Sequence, residues 1–468
     1  MPMTLEAVAI YLAAIKAGIL VATIADSFTP NEISVRLKIT KPKLIFTQDY
    51  LLRAGKTLPL FSKVVEANAP KAVVIKATSE NIKLRSKDLF WDDFLSDNSS
   101  FTSIIQNPED VMTILFSSGT TGEPKAIPWT HSTPIKSASD GYYHQNIQKN
   151  GVVCWPTNLG WMMGPWLIFA TLINKGILAL YYGAPIDRKF GEFVQNAKVT
   201  MLGLVPSIVK HWIKTKCNEN LDWNAIKCFS STGEASNPQE MEYLMQLGNN
   251  KPVIEYCGGT ETGGGYVTST MIQENIASTF STQALGGEFV LLDDENKPST
   301  KGEVFFIPPI IGLSENLLNK DHHSVYFKDT PTYNGQKLRR HGDQLQKLEN
   351  GYYKAMGRVD DAMNLGGIKV SSIQIEAVVN QLDFIKESAA IAISPKDGGP
   401  SVLILYYVAN SSSDAEKDSY LGLINTLLKN KLNPLFKAKE LLKIDTLPRT
   451  ASGKVMRRKL RDLFEAAH

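Results

Sequence analysis

Cysteine is scarce in this chain: Cys154, Cys217, Cys228 and Cys257 are the only four in 468 residues, with no CxxC pair and no zinc-like spacing. That excludes a disulfide framework and a structural zinc site, and reads as four free thiols. An excess of one charge sign is missing as well. Fifty Lys and Arg against 47 Asp and Glu leave +3, a balance that gives no ground for a nucleic-acid partner. No uninterrupted apolar stretch reaches the ~18 residues of a membrane span. The apolar start "MPMTLEAVAIYLAAIKAGILVATIADSF" carries Glu6 where a signal peptide has its basic region, and Lys16 interrupts the run, so no export signal is expected. Internal repeats and long low-complexity segments are absent too. What remains is a chain with 43% apolar residues, long enough for two or more domains.

The pattern begins as α/β. Leu5, Val8, Leu12 and Ile15 recur at helical spacing, and "GILVATI" after Gly18 reads as a strand. Further apolar strands are expected in "KLIFTQ" (43–48), "KAVVIKA" (71–77), "VMTILF" (111–116) and "GILALYYG" (176–183), separated by helix-length segments, which predicts a mostly parallel buried sheet. The polar stretch between Trp91 and Asp110 reads as a surface connection. After Gly357 the pattern changes: "SAAIAIS", the turn "PKDGGP" and "SVLILYYVA" predict a hairpin, followed by a helix with Leu421, Ile424, Leu427 and Leu428 inward. The expected division is a large domain over 1–357 and a small α+β domain over 358–468.

The segment "TILFSSGTTGEPKAIPWTH", residues 113–131, follows a strand and contains Gly119 and Gly122. Backbone N–H groups freed at the glycines, the hydroxyls of Ser117, Ser118, Thr120 and Thr121, and the Lys125 cation would surround a polyphosphate with donors. It is not a Walker A loop, because Ala126 follows Lys125 where Ser or Thr is needed, and Pro124 opposes a helix interior. An ordinary polar loop is the alternative.

"SSGTTGEPK" resembles the phosphate loop of the adenylate-forming superfamily, which includes acyl-CoA synthetases, coumarate-CoA ligases, luciferases and peptide-synthetase adenylation domains. In the same order follow "STGEAS" (231–236), "YCGGTETGGG" (256–265), "RRHGDQ" with Asp343, "GRVDDAMNLGGIKVS" (357–371) and "PRTASGKVMRRKLR" (448–461). "TNLGWMMGPW" and "MNLGGIKVSSIQIE" look most like acetyl- and medium-chain acyl-CoA synthetases and plant-type acyl-activating enzymes. The resemblance implies the adenylate-forming fold, an α/β large domain with a small α+β C-terminal domain. It also implies the reaction: a small-molecule carboxylic acid plus ATP gives acyl-AMP and pyrophosphate, and CoA then takes the acyl group, with Mg²⁺ required.

Site residues follow from the same resemblance. Lys454 would bridge the carboxylate and α-phosphate oxygens, while Thr260 and Glu261 face the ATP phosphates, with Glu261 on the Mg²⁺. The nucleotide site would take Ser117, Ser118, Gly119, Thr120, Thr121, Gly122 and Lys125. Gly233, Glu234 and Ala235 line adenine mostly through backbone, and Glu255, Tyr256, Cys257, Gly258 and Gly259 join them. Asp343 would accept from the ribose hydroxyls, with Arg358 near ribose or phosphate and Lys369 at phosphate or CoA. Asp360 is the expected hinge, and Gly366, Gly367 and Lys429 are expected toward CoA. Trp161, Met162, Met163 and Gly258 would form the acyl pocket. Acetate-specific synthetases carry a tryptophan where this chain has Gly258, so an empty place and a substrate larger than acetate are expected. "MPMTLEAV" matches a motif well inside the usual superfamily chain, which implies that part of the large domain's N-terminal stretch is lacking here.

Three other readings stay open: an adenylation enzyme loading a carrier-protein thiol, a non-catalytic nucleotide-binding remnant, and a kinase or Walker-type NTPase releasing ADP. No carrier domain lies within the 468 residues, so free CoA is the expected acceptor. The C-terminal Ala466-Ala467-His468 is not a peroxisomal tripeptide, so the cytoplasm is the expected compartment, with the peroxisome as the alternative. Oligomeric state and the identity of the acid are not readable.

Overall fold

The computed structural model describes residues 1–117, 124–233, 236–293, 295–358, 362–365, 368–393, 402–410, 417–432, 436–449, 453 and 455–467. For 357–358, 362–365, 368–371, 417–419 and 458 the description is limited to the backbone. The chain divides into two units. The first is Met1–Val290 with Phe306–Arg340 and Leu348–Tyr353; the second is Leu291–Phe305, His341–Lys347 and Lys354–His468.

The first unit is built on a seven-stranded sheet in the order Ile177–Ala179, Val152–Cys154, Met201–Leu204, Cys228–Ser231, Val253–Gly259, Gly264–Thr268 and Thr282–Gln283. Its first five strands run parallel. Parallel neighbours need crossovers, and the helices Met163–Ile173, Arg188–Asn196, Pro206–Thr215 and Pro238–Leu247 supply them. Local chemistry starts these helices: Asp187 accepts from the Phe190 N–H, Asn237 from the Gln239 N–H, and Pro206 sits in a first turn. One face of the sheet packs Trp155, Trp166, Met201 and Tyr256 together, and the other packs Leu202, Trp212, Trp223 and Phe229. With both faces buried, the strands read as continuous apolar runs.

Parallel order ends at Val253–Gly259, which pairs antiparallel with Gly264–Thr268 across the short turn Thr260–Thr262. Gly263 follows the turn at φ +61°, a left-handed conformation that glycine adopts without strain. Smaller sheets join Val21–Ala22, Val111–Ser117 and Lys125–Thr130, and Leu44–Gln48, Lys71–Ile75 and Leu89–Phe90.

The predicted strands are present, with two of them reduced to two or three residues. "GILVATI" contributes only Val21–Ala22, and "GILALYYG" only Ile177–Ala179. Each lies at the edge of its sheet, where Ile19, Leu20 and Ile177 face solvent. Short edge strands leave few unpaired backbone groups.

In the second unit the predicted hairpin is formed by Ile385–Ile393 and Val402–Ala409, joined in parallel by Ala438–Lys443. The turn "PKDGGP" lies outside the described residues. Alternation along these strands sorts Ala390, Leu403, Leu405 and Tyr407 onto one face, with Ile424 and Leu428 of helix Lys417–Lys431. Ala389, Ile391, Ile404 and Tyr406 take the other face, with Leu460 and Phe464 of helix Arg457–Ala467. Among the described residues, no helix is long and apolar enough to cross a membrane.

Candidate functional site

The hairpin Val111–Ser117 and Lys125–Thr130 ends with Ser117 directly opposite Lys125. From the other sheet, the turn after Val253–Gly259 brings Glu261 to the same place. Its backbone is fixed on several sides: Trp129 Nε1 donates to the Thr260 carbonyl at 2.7 Å, and the Ser314 N–H donates to the Glu261 carbonyl at 2.7 Å. Thr262 Oγ1 donates to the Gly264 carbonyl at 2.6 Å. The result is an ion pair of 2.6 Å between Lys125 Nζ and Glu261 Oε1, with side chains 19% and 12% exposed. Ser117 Oγ donates to the same carboxylate oxygen at 3.3 Å.

Tyr326 completes the group. It ends the short helix His322–Tyr326, whose start is held by the Asp321 carboxylate accepting from the Ser324 N–H. Its hydroxyl donates to Glu261 Oε1 at 3.1 Å and accepts from Lys125 Nζ at 3.1 Å. Burial, and then the charge of Glu261, push the phenol well above its ordinary pKa, so the group is a neutral hydroxyl. The segment before it is stitched to the Lys125 strand: Asn319 accepts from the Ala126 N–H and donates to the Pro124 carbonyl, each at 2.9 Å. Beneath the Tyr326 ring lies Arg339, its guanidinium carbon 3.8 Å from the ring centroid and its side chain wholly buried. Its Nε, Nη1 and Nη2 reach no hydrogen-bond acceptor among the described residues. Two cations thus stand near one carboxylate.

Along the neighbouring strand ends, Thr232 Oγ1 donates to the Tyr256 carbonyl at 2.5 Å, and Gly233 takes φ +87°. Glu255 is buried and accepts from Ser236 Oγ at 2.6 Å. Burial raises its carboxyl to about 7, the serine bond opposing that rise. The Tyr256 side chain is committed elsewhere, donating to Asp140 Oδ2 at 2.5 Å and accepting from Trp166 Nε1 at 2.9 Å. Cys257 Sγ contacts the Tyr266 hydroxyl at 3.4 Å.

Ser117, Lys125, Thr260 and Glu261 are therefore brought together, with Gly233, Glu255, Tyr256, Cys257, Gly258 and Gly259 on adjacent strand ends. Trp161 sits edge-on to Phe28, Met162 is half-buried, and Met163 is packed in the core with Trp166. The surroundings of Gly258 correct one expectation. A Cβ there would lie 2.0 Å from the Gly264 carbonyl oxygen, so the glycine is required by close approach of two strands and leaves no empty place in that direction.

In the second unit, Asp343 Oδ2 is 3.2 Å from His341 Nε2, Lys429 is exposed, and Arg358 and Lys369 lie on strands. Ser118, Gly119, Thr120, Thr121, Gly122, Glu234, Ala235, Asp360, Gly366, Gly367 and Lys454 lie outside the described residues. Sequence reasoning missed Tyr326 and Arg339. Arg339 begins the quoted "RRHGDQ", but nothing in the spelling sets it apart from Arg340.

Among the described residues, no cluster of three His, Cys, Asp or Glu side chains is placed to hold a metal. A single carboxylate with hydroxyl neighbours fits a magnesium ion that takes most of its ligands from phosphate and water.

Residues 1–310 match the family described as AMP-binding enzyme. The chain belongs to that family. It is 50% identical over 99% of its length to a hexanoyl-CoA synthase of Cannabis sativa, and 48% identical over 98% to probable acyl-activating enzyme 17, peroxisomal, of Arabidopsis thaliana. It spans 66% of the length of each of these relatives. Its fold is that of acetoacetyl-CoA synthetase from Streptomyces lividans, with a TM-score of 0.88 at 21% identity over 99% of this chain and 73% of that one. An anthranilate CoA ligase gives a TM-score of 0.79 at 20% identity over 98% of this chain and 85% of that one.

Proposed function

We propose that this chain activates a carboxylic acid larger than acetate with ATP and passes the acyl group to CoA. The observation that carries this reading is the Lys125–Glu261 pair at the end of the hairpin whose connection is "SSGTTGEPK". Similarity to a hexanoyl-CoA synthase and to acyl-activating enzymes supports it. In the first step a carboxylate oxygen attacks the α-phosphorus, the bond to the bridging oxygen breaks, and pyrophosphate leaves. Lys125 and the loop donors hold the phosphates, and Lys454 bridges the two reacting anions where charge accumulates. Glu261 provides the protein's carboxylate to Mg²⁺, which when bound screens the phosphate charge. In the second step the thiol sulfur attacks the acyl carbonyl carbon, AMP leaves, and the thiol proton passes to solvent.

Adenine is read by backbone at Gly233, Glu234 and Ala235 and by the strand end 255–260, and ribose by Asp343 with Arg358. Residues 358–468 act as a mobile domain that turns about Asp360, withdrawing Lys454 so that Gly366, Gly367 and Lys429 meet CoA. Trp161, Met162 and Met163 line the acyl end. The place of action is the cytoplasm or the peroxisome. A panel from acetate to hexanoate and an aromatic acid, assayed for AMP and pyrophosphate with and without CoA, tests this reading. Pyrophosphate without CoA and acyl-CoA with it are expected, with acetate among the poor substrates. ADP as product, or no product with any acid, would remove it.

A further inference from the structure

The Lys125–Glu261 pair raises a physical difficulty for a phosphate site. Its cation is already neutralised at 2.6 Å by a carboxylate that repels an incoming anion. The same carboxylate is committed to the lysine, so a metal ion arriving alone would have to displace an ammonium group. That metal ion would also face the Lys125 and Arg339 cations. Tyr326 tightens this arrangement because its single hydroxyl serves both partners at once, accepting from Lys125 and donating to Glu261. Arg339 fixes the ring from below and adds a second buried positive charge whose nitrogens find no acceptor among the described residues.

We propose that Tyr326 is a positioning residue that closes Lys125 and Glu261 into a latch, one that opens to a divalent cation and a polyphosphate arriving together and resists either alone. The proposal rests on the nucleotide reading given above and adds to it how the site admits its ligand. Opened, the pair exchanges one ionic contact for two: Lys125 turns to a phosphate oxygen, and Glu261 turns to the cation that the phosphates also hold. The buried positive charge of Arg339 favours this state, because the polyphosphate adds negative charge beside a cation whose nitrogens find no acceptor among the described residues. Tyr326, held by the guanidinium stack, stays in place and restores the pair when the ligand leaves.

The test is calorimetric titration of the full chain with pyrophosphate, with and without Mg²⁺. The wild type should bind the Mg²⁺–pyrophosphate complex at least about 100-fold more tightly than metal-free pyrophosphate. Glu261→Gln should raise metal-free pyrophosphate affinity about tenfold, because Lys125 is released, and should shrink the Mg²⁺ dependence. Tyr326→Phe, which keeps the ring over Arg339, should raise it a few-fold with Glu261 still present. In a Lys125→Ala background, Glu261→Gln should add at most about twofold, the relief of repulsion alone.

An equal rise in both backgrounds would mean that only repulsion had been removed, and would overturn the latch. An unchanged metal-free affinity in a folded Tyr326→Phe would take Tyr326 out of it. Should that variant fail to fold, the cycle between positions 125 and 261 decides alone. Wild type that does not bind Mg²⁺–pyrophosphate would overturn the nucleotide reading and the latch together, whereas Mg²⁺-dependent binding without the Glu261→Gln gain overturns only the latch.

Discussion

Two lysine–carboxylate pairs lie in the first unit with almost the same geometry, Lys125–Glu261 at 2.6 Å and Lys136–Asp140 at 2.7 Å. They differ in what surrounds them. Lys136 and Asp140 are 1% and 0% exposed, successive turns of one helix carry them, and their other bonds run into the fold. Lys136 donates to the Leu285 carbonyl, while Asp140 accepts from Tyr256 and from the Gly265 N–H. Lys125 comes from one sheet and Glu261 from the turn that follows a strand of another, they meet at the hairpin end where Ser117 faces Lys125, and they keep 19% and 12% exposure. A pair with no water around it cannot change partners without stranding a charge, so it holds structure. One with some exposure can exchange its partner for a ligand.

Breaking the buried pair should have the largest effect. Asp140→Ala strands Lys136 and removes an acceptor from Tyr256, and should cost about 3–5 kcal/mol in urea unfolding. A loss under 1 kcal/mol would put the two pairs in the same class. Lys454→Ala tests the functional side from the other unit: adenylation should fall on the order of 10²-fold, the scale for a lost charge-stabilising donor. CoA transfer from synthetic acyl-adenylate should survive, and equal loss of both half-reactions would contradict the role given to Lys454.

Glu255 offers a third, pH-dependent contrast, a buried carboxyl with no cation among its hydrogen-bond partners in the described residues. Its folded pKa of about 7 lies above the ordinary 4.5. The folded state therefore holds its proton more tightly, and the stability this gives is full below 4.5 and lost as pH rises through 7. Glu255→Gln should gain on the wild type by roughly 1–3 kcal/mol between pH 5 and pH 8, read by unfolding at each pH. A difference flat with pH would mean that Glu255 is ionised throughout. Smallest is Lys125→Ala, which should change stability by less than about 1 kcal/mol. Its loss should instead appear in binding of Mg²⁺–pyrophosphate. A large stability cost there would make Lys125 another Lys136.

The chain by itself determined a good deal. Continuous apolar runs and helices at period 3.6 announced the parallel α/β sheet and the C-terminal hairpin, because both faces of those strands are buried and must be written in Val, Ile and Leu. That Ser117, Lys125, Thr260 and Glu261 belong together was legible because "SSGTTGEPK" and "GGTETG" are each continuous in sequence. The two short edge strands were not, since pairing ends where neighbours end, and the neighbours lie far along the chain. Only the tertiary structure decided that Lys125 and Glu261 pair, across a sequence separation of 136 residues. It alone set Tyr326 between them and Arg339 under the ring, and gave Gly258 its reason in the Gly264 carbonyl. A tyrosine in "HHSVYF" and an arginine in "LRRHGD" carry no local pattern that separates them from a solvated surface. Their roles come from burial and from partners that only folding brings within hydrogen-bond reach.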